Sequence, residues 1–495
     1  MSRTRPDTSS NTTTKMMQTL SDKNKPQPDL PHHPSLSIIG MLFSKKAFED
    51  DRFAKEIAKT VNLARQSKYL KATISLGGAR GIVVLNPKDI QEIFEKHYHC
   101  LNTKENVPLF NHHFKHSVMS FTTDDPMWRM TRNEIRESVI QLKSNPKKII
   151  ALAEKYIEKL RGQSEFNSKE ITRAFTAEVV LNGFLDIDTE KLGREKVLAL
   201  ANQIELGIEH AVTLNNIFKL ALKAKFPFYQ PTLSSEAFLK EGERMLGDIV
   251  QDQQDIIWKE GNDNWAKRKA PSFKESNADF VNDLCFLLTA GSETTSKHFE
   301  FTLLAAILFP TVRENLLQEI DTLPDPKTWD ETTFAKKTPY LDKVILESLR
   351  MFPPIRTNKI LVDKSFTLSD GTVINAGDHL FLNASATHRL EEAYHNPNEF
   401  NPGREEFDGL KLETVISQVN PLKYKFLTFG IGERSCPGSL VATMEVKITL
   451  ARLFHAYNLS LKKEYDLTDE KNFRTNFGTQ LVNVPEIAIT PRCRL

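Results

Sequence analysis

The sequence predicts one large, mainly α domain with a smaller β-rich part. A helical apolar period dominates from about residue 45 to 340, as in FEDDRFAKEIAKTVNLARQ and KKIIALAEKYIEKLRG. Short strand-like pieces occur at 71–76, 81–85, 359–363, 373–375 and 378–383, the last pair around the turn signal Ala376-Gly377. No stretch reads as a linker long enough to divide the body, so 36–495 is expected to be a single domain. Residues 1–35, rich in Ser, Thr, Lys and Pro and ending in PQPDLPHHP, read as a disordered tail.

Composition narrows the function. The chain has 495 residues with 66 Lys+Arg against 64 Asp+Glu, a net charge of +2, so no overall nucleic-acid footprint exists. With 20 Gly and 24 Pro, collagen-like and wholly disordered readings fall away. The four cysteines, Cys100, Cys285, Cys436 and Cys493, form no zinc ladder and no dense disulfide framework, which fits a reducing compartment. No apolar run reaches the ~18 residues of a spanning helix, and no signal-peptide core is visible. The expectation is a cytoplasmic protein without a transmembrane anchor.

The elements that carry chemistry follow in chain order. Trp128 and Arg132 share one helix face, presenting an indole N–H and a guanidinium. The charged stretch 259–275 reads as a loop between long helices. Residues 279–308 form a long apolar helix with Ala290-Gly291-Ser292-Glu293-Thr294-Thr295 at its centre. Glycine and hydroxyls are locally unfavourable there. Thr294 can bond back to the carbonyl of Ala290, which opens the helix into a polar notch. Gly291 removes a side chain where a planar cofactor could lie. A hydroxyl and an acid in such a notch can hold dioxygen and relay protons. Glu347 and Arg350, at i and i+3, close a helix that Pro353-Pro354 stops.

Last comes FLTFGIGERSCPG at 426–438. Pro437 follows Cys436 directly, and a helical pattern begins there, so Cys436 sits at a helix N-terminus. Free amides and the positive dipole end favour a thiolate at that place. Gly432 permits an unusual backbone angle, and Gly438 lets something flat approach. A thiolate ligand to a haem iron suits this site.

The pattern Phe429-x-x-Gly432-x-Arg434-x-Cys436-x-Gly438 resembles the haem-binding signature of the cytochrome P450 family. With 31 Phe, 20 Gly and 4 Cys in 495 residues, the Phe, Gly and Cys spacing arises by chance in roughly 4 of 10,000 such chains. The resemblance spans about residues 45–490, and its landmarks Trp128, Thr294, Glu347, Arg404 and Cys436 stand in the family's order.

The resemblance implies haem b (iron protoporphyrin IX) with Cys436 as axial ligand. Phe429, Gly432, Gly438, Ala290 and Gly291 would surround the haem. Trp128, Arg132 and Arg434 would hold its propionates, with Arg356 and Lys359 competing for a third contact. Glu293 and Thr294 would serve oxygen activation. Glu347, Arg350 and Arg404, the last in Phe400-Asn401-Pro402-Gly403-Arg404, would lock a loop beneath the haem. His388 matches a family position without an assigned role.

The implied activity is hydroxylation or epoxidation of a small apolar molecule, with O₂ and two external electrons. A monomer would take those electrons from a separate ferredoxin or flavodoxin with its reductase, since no reductase module follows the cysteine. Lys423, Lys425, Arg434 and Lys447 could offer that donor a basic face or be ordinary solvated cations, since Glu433 and Glu445 dilute the patch. Substrate contacts are expected from 105–121 and 205–233, the latter carrying Phe218, Leu220, Leu222, Phe226, Phe228 and Tyr229, which suit an apolar lid and core packing equally well. His112, His113 and His116 could bind a metal, although loop histidines are more often plain polar residues. The alternatives are a haem-thiolate isomerase, dehydratase or peroxygenase, and a non-catalytic haem sensor.

Overall fold

The computed structural model describes residues 28–36, 52–76, 79–102, 112–211, 228–269, 277–475 and 478–492, with scattered positions between 212 and 227. Residues 1–27, 105–111, Phe218 and Cys493 lie outside the described residues. The observed architecture is the expected one, a helical body with a smaller sheet at one side.

The sheet has six strands in the order β1-β2-β3-β6-β5-β4. They are β1 (His32–Leu36), β2 (Lys71–Leu76), β3 (Ala79–Val84), β4 (Leu101–Asn102), β5 (Thr357–Val362) and β6 (His379–Asn383). β2 and β3 pair antiparallel, and β3 runs parallel to β6, so distant stretches of chain meet at Ile82 and Leu380. β5 and β6 pair antiparallel around Gly377, whose φ of +87° a side-chain-bearing residue rarely adopts. β1 corrects the expected tail boundary. Residues 32–36 belong to the fold, because His32 pairs with Thr73 and Leu36 with Leu76.

The helices that matter for the site are α1 (Pro126–Ser144), α2 (Ser168–Leu185), α3 (Arg194–Ala211), α4 (Asn277–Leu288), α5 (Thr294–Leu308), α6 (Pro339–Met351) and α7 (Ser439–Ala456). α1 starts where Asp125 accepts the Met127 N–H and Pro126 takes the first position, a pairing of cap and proline that fixes the helix start. α5 is buried around nearly its whole circumference and packs against α2, α6 and α7. Among the described residues no helix is long and apolar enough to cross a membrane.

The stretch 259–275 is more than a connecting loop. Trp265–Lys269 is a short helix with Trp265 buried, and the buried Lys269 ammonium meets Glu134 at 3.3 Å and Asp283 at 3.1 Å.

Candidate active site

The cysteine loop is tied from several directions. The Cys436 N–H donates to the Phe429 carbonyl at 2.8 Å, and the Ser435 N–H to that of Gly432 at 3.0 Å. Gly430 and Gly432 have φ of +72° and +74°, so both need glycine. A Cβ on Gly432 would also lie 3.2 Å from the Tyr98 ring. The Gln418 amide grips the loop from outside. It donates to the Gly430 carbonyl and accepts from the Gly432 N–H. Gln418 carries no sequence signal.

Cys436 itself stands just before α7. Its sulfur accepts from the N–H groups of Gly438 and Ser439. Burial raises the thiol pKa, and the two amides and the Arg132 charge pull it down. The cysteine is nevertheless exposed to a water-sized probe. Gly438 has φ of −87°, which any residue adopts, and a Cβ there would lie 3.9 Å from the Cys436 Sγ. That is an ordinary contact, so neither the backbone angle nor the space left by the chain itself demands glycine at 438.

His388 acquires a role that the sequence did not reveal. Its Nε2 accepts the Leu427 N–H at 2.8 Å, so Nδ1 carries the proton and donates to the Arg350 carbonyl at 2.8 Å. The ring pins the start of the cysteine loop to the end of α6. A second ring proton would oppose the Leu427 N–H. Burial holds the His388 pKa down at about 3. The sign follows: below the ordinary value near 6.5 the unfolded chain gains a proton that the folded site refuses. His388 thus contributes fully above pH 6.5 and loses its contribution as pH falls toward 3. His388→Ala should lower the stability read from urea unfolding by about 1–3 kcal/mol for each orphaned group. It should also lose part of the acid sensitivity between pH 7 and 5. The buried His298, held down at about 3, and His113, held at about 4, retain their share of it. An unchanged midpoint and pH profile would refute the pinning role.

A second set of side chains lies beside the sulfur. Trp128 is buried, and its indole N–H has no hydrogen-bond partner among the described residues. The Arg434 guanidinium lies 4.8 Å and that of Arg132 5.6 Å from the indole ring. Arg434 donates to Thr123 Oγ1 and to the carbonyls of Val118 and Phe121, and burial lowers its pKa to about 10. Among the described residues Arg132 donates to the Ser435 hydroxyl, at 3.5 Å. An orphaned buried indole N–H beside two desolvated guanidiniums with N–H groups to spare is a donor set that suits the carboxylates of a haem. The structure also separates the two competing residues of β5 and the turn before it. Burial lowers the Arg356 pKa, and its guanidinium lies over Phe473 at 5.7 Å, whereas Lys359 is exposed.

The notch in the long helix is a π turn, Thr289–Glu293, between α4 and α5. Its cause is a run of back-bonding hydroxyls. Thr289 donates to the Cys285 carbonyl, Ser292 to that of Leu288, and Thr294 to that of Ala290 at 2.8 Å. Ala290 is exposed at this turn, while Glu293 is buried. Gly291 does not make room for a cofactor. A Cβ there would meet Val180 Cγ2 at 2.7 Å, so the glycine allows α2 to approach. Glu293 binds Lys297 through Oε1, a buried pair one turn apart that the sequence analysis missed.

Glu347 is gripped by two arginines. Arg350 and Arg404 each hold both carboxylate oxygens, at 2.7–2.8 Å. Arg350 also donates to the carbonyls of His388, Pro397 and Glu399. Both residues of the α6 pair are fully buried.

The structure decides among three sets of alternatives that the sequence leaves open. Lys447 is buried against Asp342 at 2.6 Å and Arg434 is engaged as above, so only Lys423 and Lys425 remain of the basic face. The three histidines do not converge, since His112 meets Glu236, His113 meets Ser235 and His116 meets Asp279. Among the lid residues Leu220 is buried, but Phe228 is 85% exposed and turns outward.

The comparisons agree with this geometry. An ent-kaurene oxidase of Gibberella intermedia is 29% identical over 285 residues, 54% of this chain and 51% of that protein. Cytochrome P450 3A6 of Oryctolagus cuniculus is 32% identical over 186 residues, 38% of this chain and 35% of that one. The matches thus span about half or less of these relatives' length. The crystal structure of the cytochrome P450DA heme domain superposes with a TM-score of 0.70 at 16% identity, covering 94% of this chain and 98% of that one, a likeness of fold. The family model described as Cytochrome P450 matches residues 31–485. With that match over most of its length, the chain belongs to the cytochrome P450 family.

Proposed function

We propose that this protein is a haem-thiolate monooxygenase acting on a small apolar molecule, with electrons from a separate donor. The observation that carries the reading is the exposed Cys436, its sulfur held by two helix-start amides and accompanied by Arg132. Haem b, when bound, supplies an iron at which O₂ is reduced by two electrons, one oxygen atom entering the substrate and the other leaving as water. Cys436 would hold that iron through its sulfur as the thiolate. Trp128, Arg132, Arg434 and Arg356 hold the propionates. Thr294 and Glu293 hold protons beside the open face of the helix notch. The relatives' name makes ent-kaurene the first substrate to try.

The test is a reduced-plus-CO difference spectrum of the purified protein. A strongly red-shifted Soret band supports the reading, and a histidine-type band or no haem rejects it. Peroxide-driven turnover, with none from electron donors plus O₂, would favour the peroxygenase alternative.

The hydroxyl of Thr294 already bonds the Ala290 carbonyl, so it is preset in the notch. Thr294→Ala should therefore keep the spectrum but lower product per NADPH by about tenfold, the difference leaving as hydrogen peroxide. Unchanged coupling would remove Thr294 from the chemistry.

A further inference from the structure

A polar cavity of about 580 Å³ lies between α2, α3, α5 and the hairpin after residue 473, lined among others by Arg173, Asn202, Glu205, Glu300, Arg474 and Gln480. Neither Cys436 nor Thr294 lines it. From its wall a buried series of charges of alternating sign runs inward. Arg173 pairs with Glu205 Oε2, and Lys297 pairs with Glu293 Oε1. Glu205 interacts electrostatically with both Lys297 and Glu293.

Each acid uses one oxygen for its cation and keeps the other in reserve. Glu205 Oε1 and Glu293 Oε2 are both buried without a hydrogen-bond partner among the described residues. Their residues are only 7% and 6% exposed. Orphaned buried carboxylate oxygens are costly, and a proton is the smallest thing that relieves one.

We propose that Glu205 carries protons from the cavity to Glu293, with Arg173 and Lys297 as the positioning residues that aim the two carboxyls. The step moves one proton and no electrons. The O–H bond of Glu205 breaks, an O–H bond on Glu293 forms, and cavity water returns a proton to Glu205. Burial raises the Glu205 pKa, opposed by Arg173 and reinforced by Glu293, with the Lys297 and Lys169 charges also lowering it. Glu205 is therefore easier to protonate than an ordinary carboxylate, and the free Oε1 is where the proton would sit. Arg173 and Glu205 line the cavity, whereas Glu293 does not and stands in the helix notch.

The inference rests on the monooxygenase reading for its purpose, and two measurements keep the two apart. The first is infrared spectroscopy of the ferric protein without substrate, in H₂O and D₂O. Burial also raises the pKa of Glu300 and Glu445, so the signal is read in the difference between wild type and variant, where one carboxylic-acid C=O component that shifts in D₂O should be lost in Glu205→Gln and move in Lys297→Met. Its persistence in Glu205→Gln would overturn the assignment whatever the protein catalyses. The second is NADPH-driven O₂ consumption with a ferredoxin and its reductase. Glu205→Gln should raise the solvent deuterium isotope effect, and the peroxide released per NADPH, by about threefold, with an unchanged CO spectrum. Wild-type values of both would overturn the route. If the wild type itself consumes no O₂, the monooxygenase reading fails, and the infrared result alone decides for or against Glu205.

Discussion

Glu347→Ala should yield a protein that does not accumulate in folded form. Glu347 is fully buried, and two guanidiniums depend on it, each through two bonds of 2.7–2.8 Å. Its Oε1 also accepts the Asn401 N–H at 2.8 Å. Removing one partner of a buried pair costs roughly 3–5 kcal/mol, chiefly because the remaining charge stays desolvated. Here two cations are stranded, against a total stability of about 5–15 kcal/mol for a typical protein. Carbonyls of Pro397 and Glu399 still hold Arg350, so the loss falls short of twice the single value. The softer Glu347→Gln keeps one carbonyl oxygen and should fold with a lower urea midpoint and a reduced haem content. Arg350→Lys should resemble it, because an ammonium cannot replace a two-pronged grip and also reach three carbonyls. A Glu347→Ala protein with the wild-type midpoint would show that the network is incidental. The effect should reach the cysteine loop. Arg350 donates to the His388 carbonyl, and the His388 ring holds the Leu427 amide.

The contrast between this network and its neighbours shows what the sequence can reveal. Glu347 and Arg350 share a face by helical spacing, and Thr294 reaches Ala290 for the same reason. The turn glycines and Pro437 around Cys436 act within a dozen residues. All these features are local, and all were legible. Helical spacing does not say which neighbour occupies a face. Gly291 was therefore assigned to a cofactor when α2 and Val180 stand there. Lys447 was placed on an outer face when Asp342 draws it inward. The roles of His388 and Gln418 depend on bonds to Leu427 and Gly430 and to the far end of α6, pairings that only the folded chain creates. The sheet lies between these cases. Its strands could be read from alternation, but the parallel pairing of β3 with β6 joins segments about 300 residues apart and has no local signature.

Cys436→Ser should give a folded protein without the red-shifted band of the reduced CO complex. The change replaces sulfur by the smaller oxygen and disturbs little packing. The backbone bond from residue 436 to the Phe429 carbonyl does not involve the side chain. The positive-φ glycines and the Gln418 grip on the loop are likewise untouched. The stability read from urea unfolding should therefore stay within about 1 kcal/mol of the wild type. The donor set of Trp128, Arg132 and Arg434 remains, so some haem should still bind. The ligand does not remain. A serine hydroxyl is far less acidic than a thiol, and the Gly438 and Ser439 amides that lower the thiol pKa cannot make it a comparable electron donor. No other described sulfur of a cysteine can stand in, because Cys100 and Cys285 are buried elsewhere in the core. Oxygenation should fall more than about 100-fold, beyond the 10–100-fold that outer-shell changes typically cost. A Cys436→Ser protein that keeps the red-shifted band would remove Cys436 as the ligand. One that loses both haem and stability would show that the sulfur holds the loop together as well. A stable variant that binds haem and shows an unshifted band would assign the chemistry to the thiolate itself and leave the surrounding arginines and indole the work of holding the haem in place.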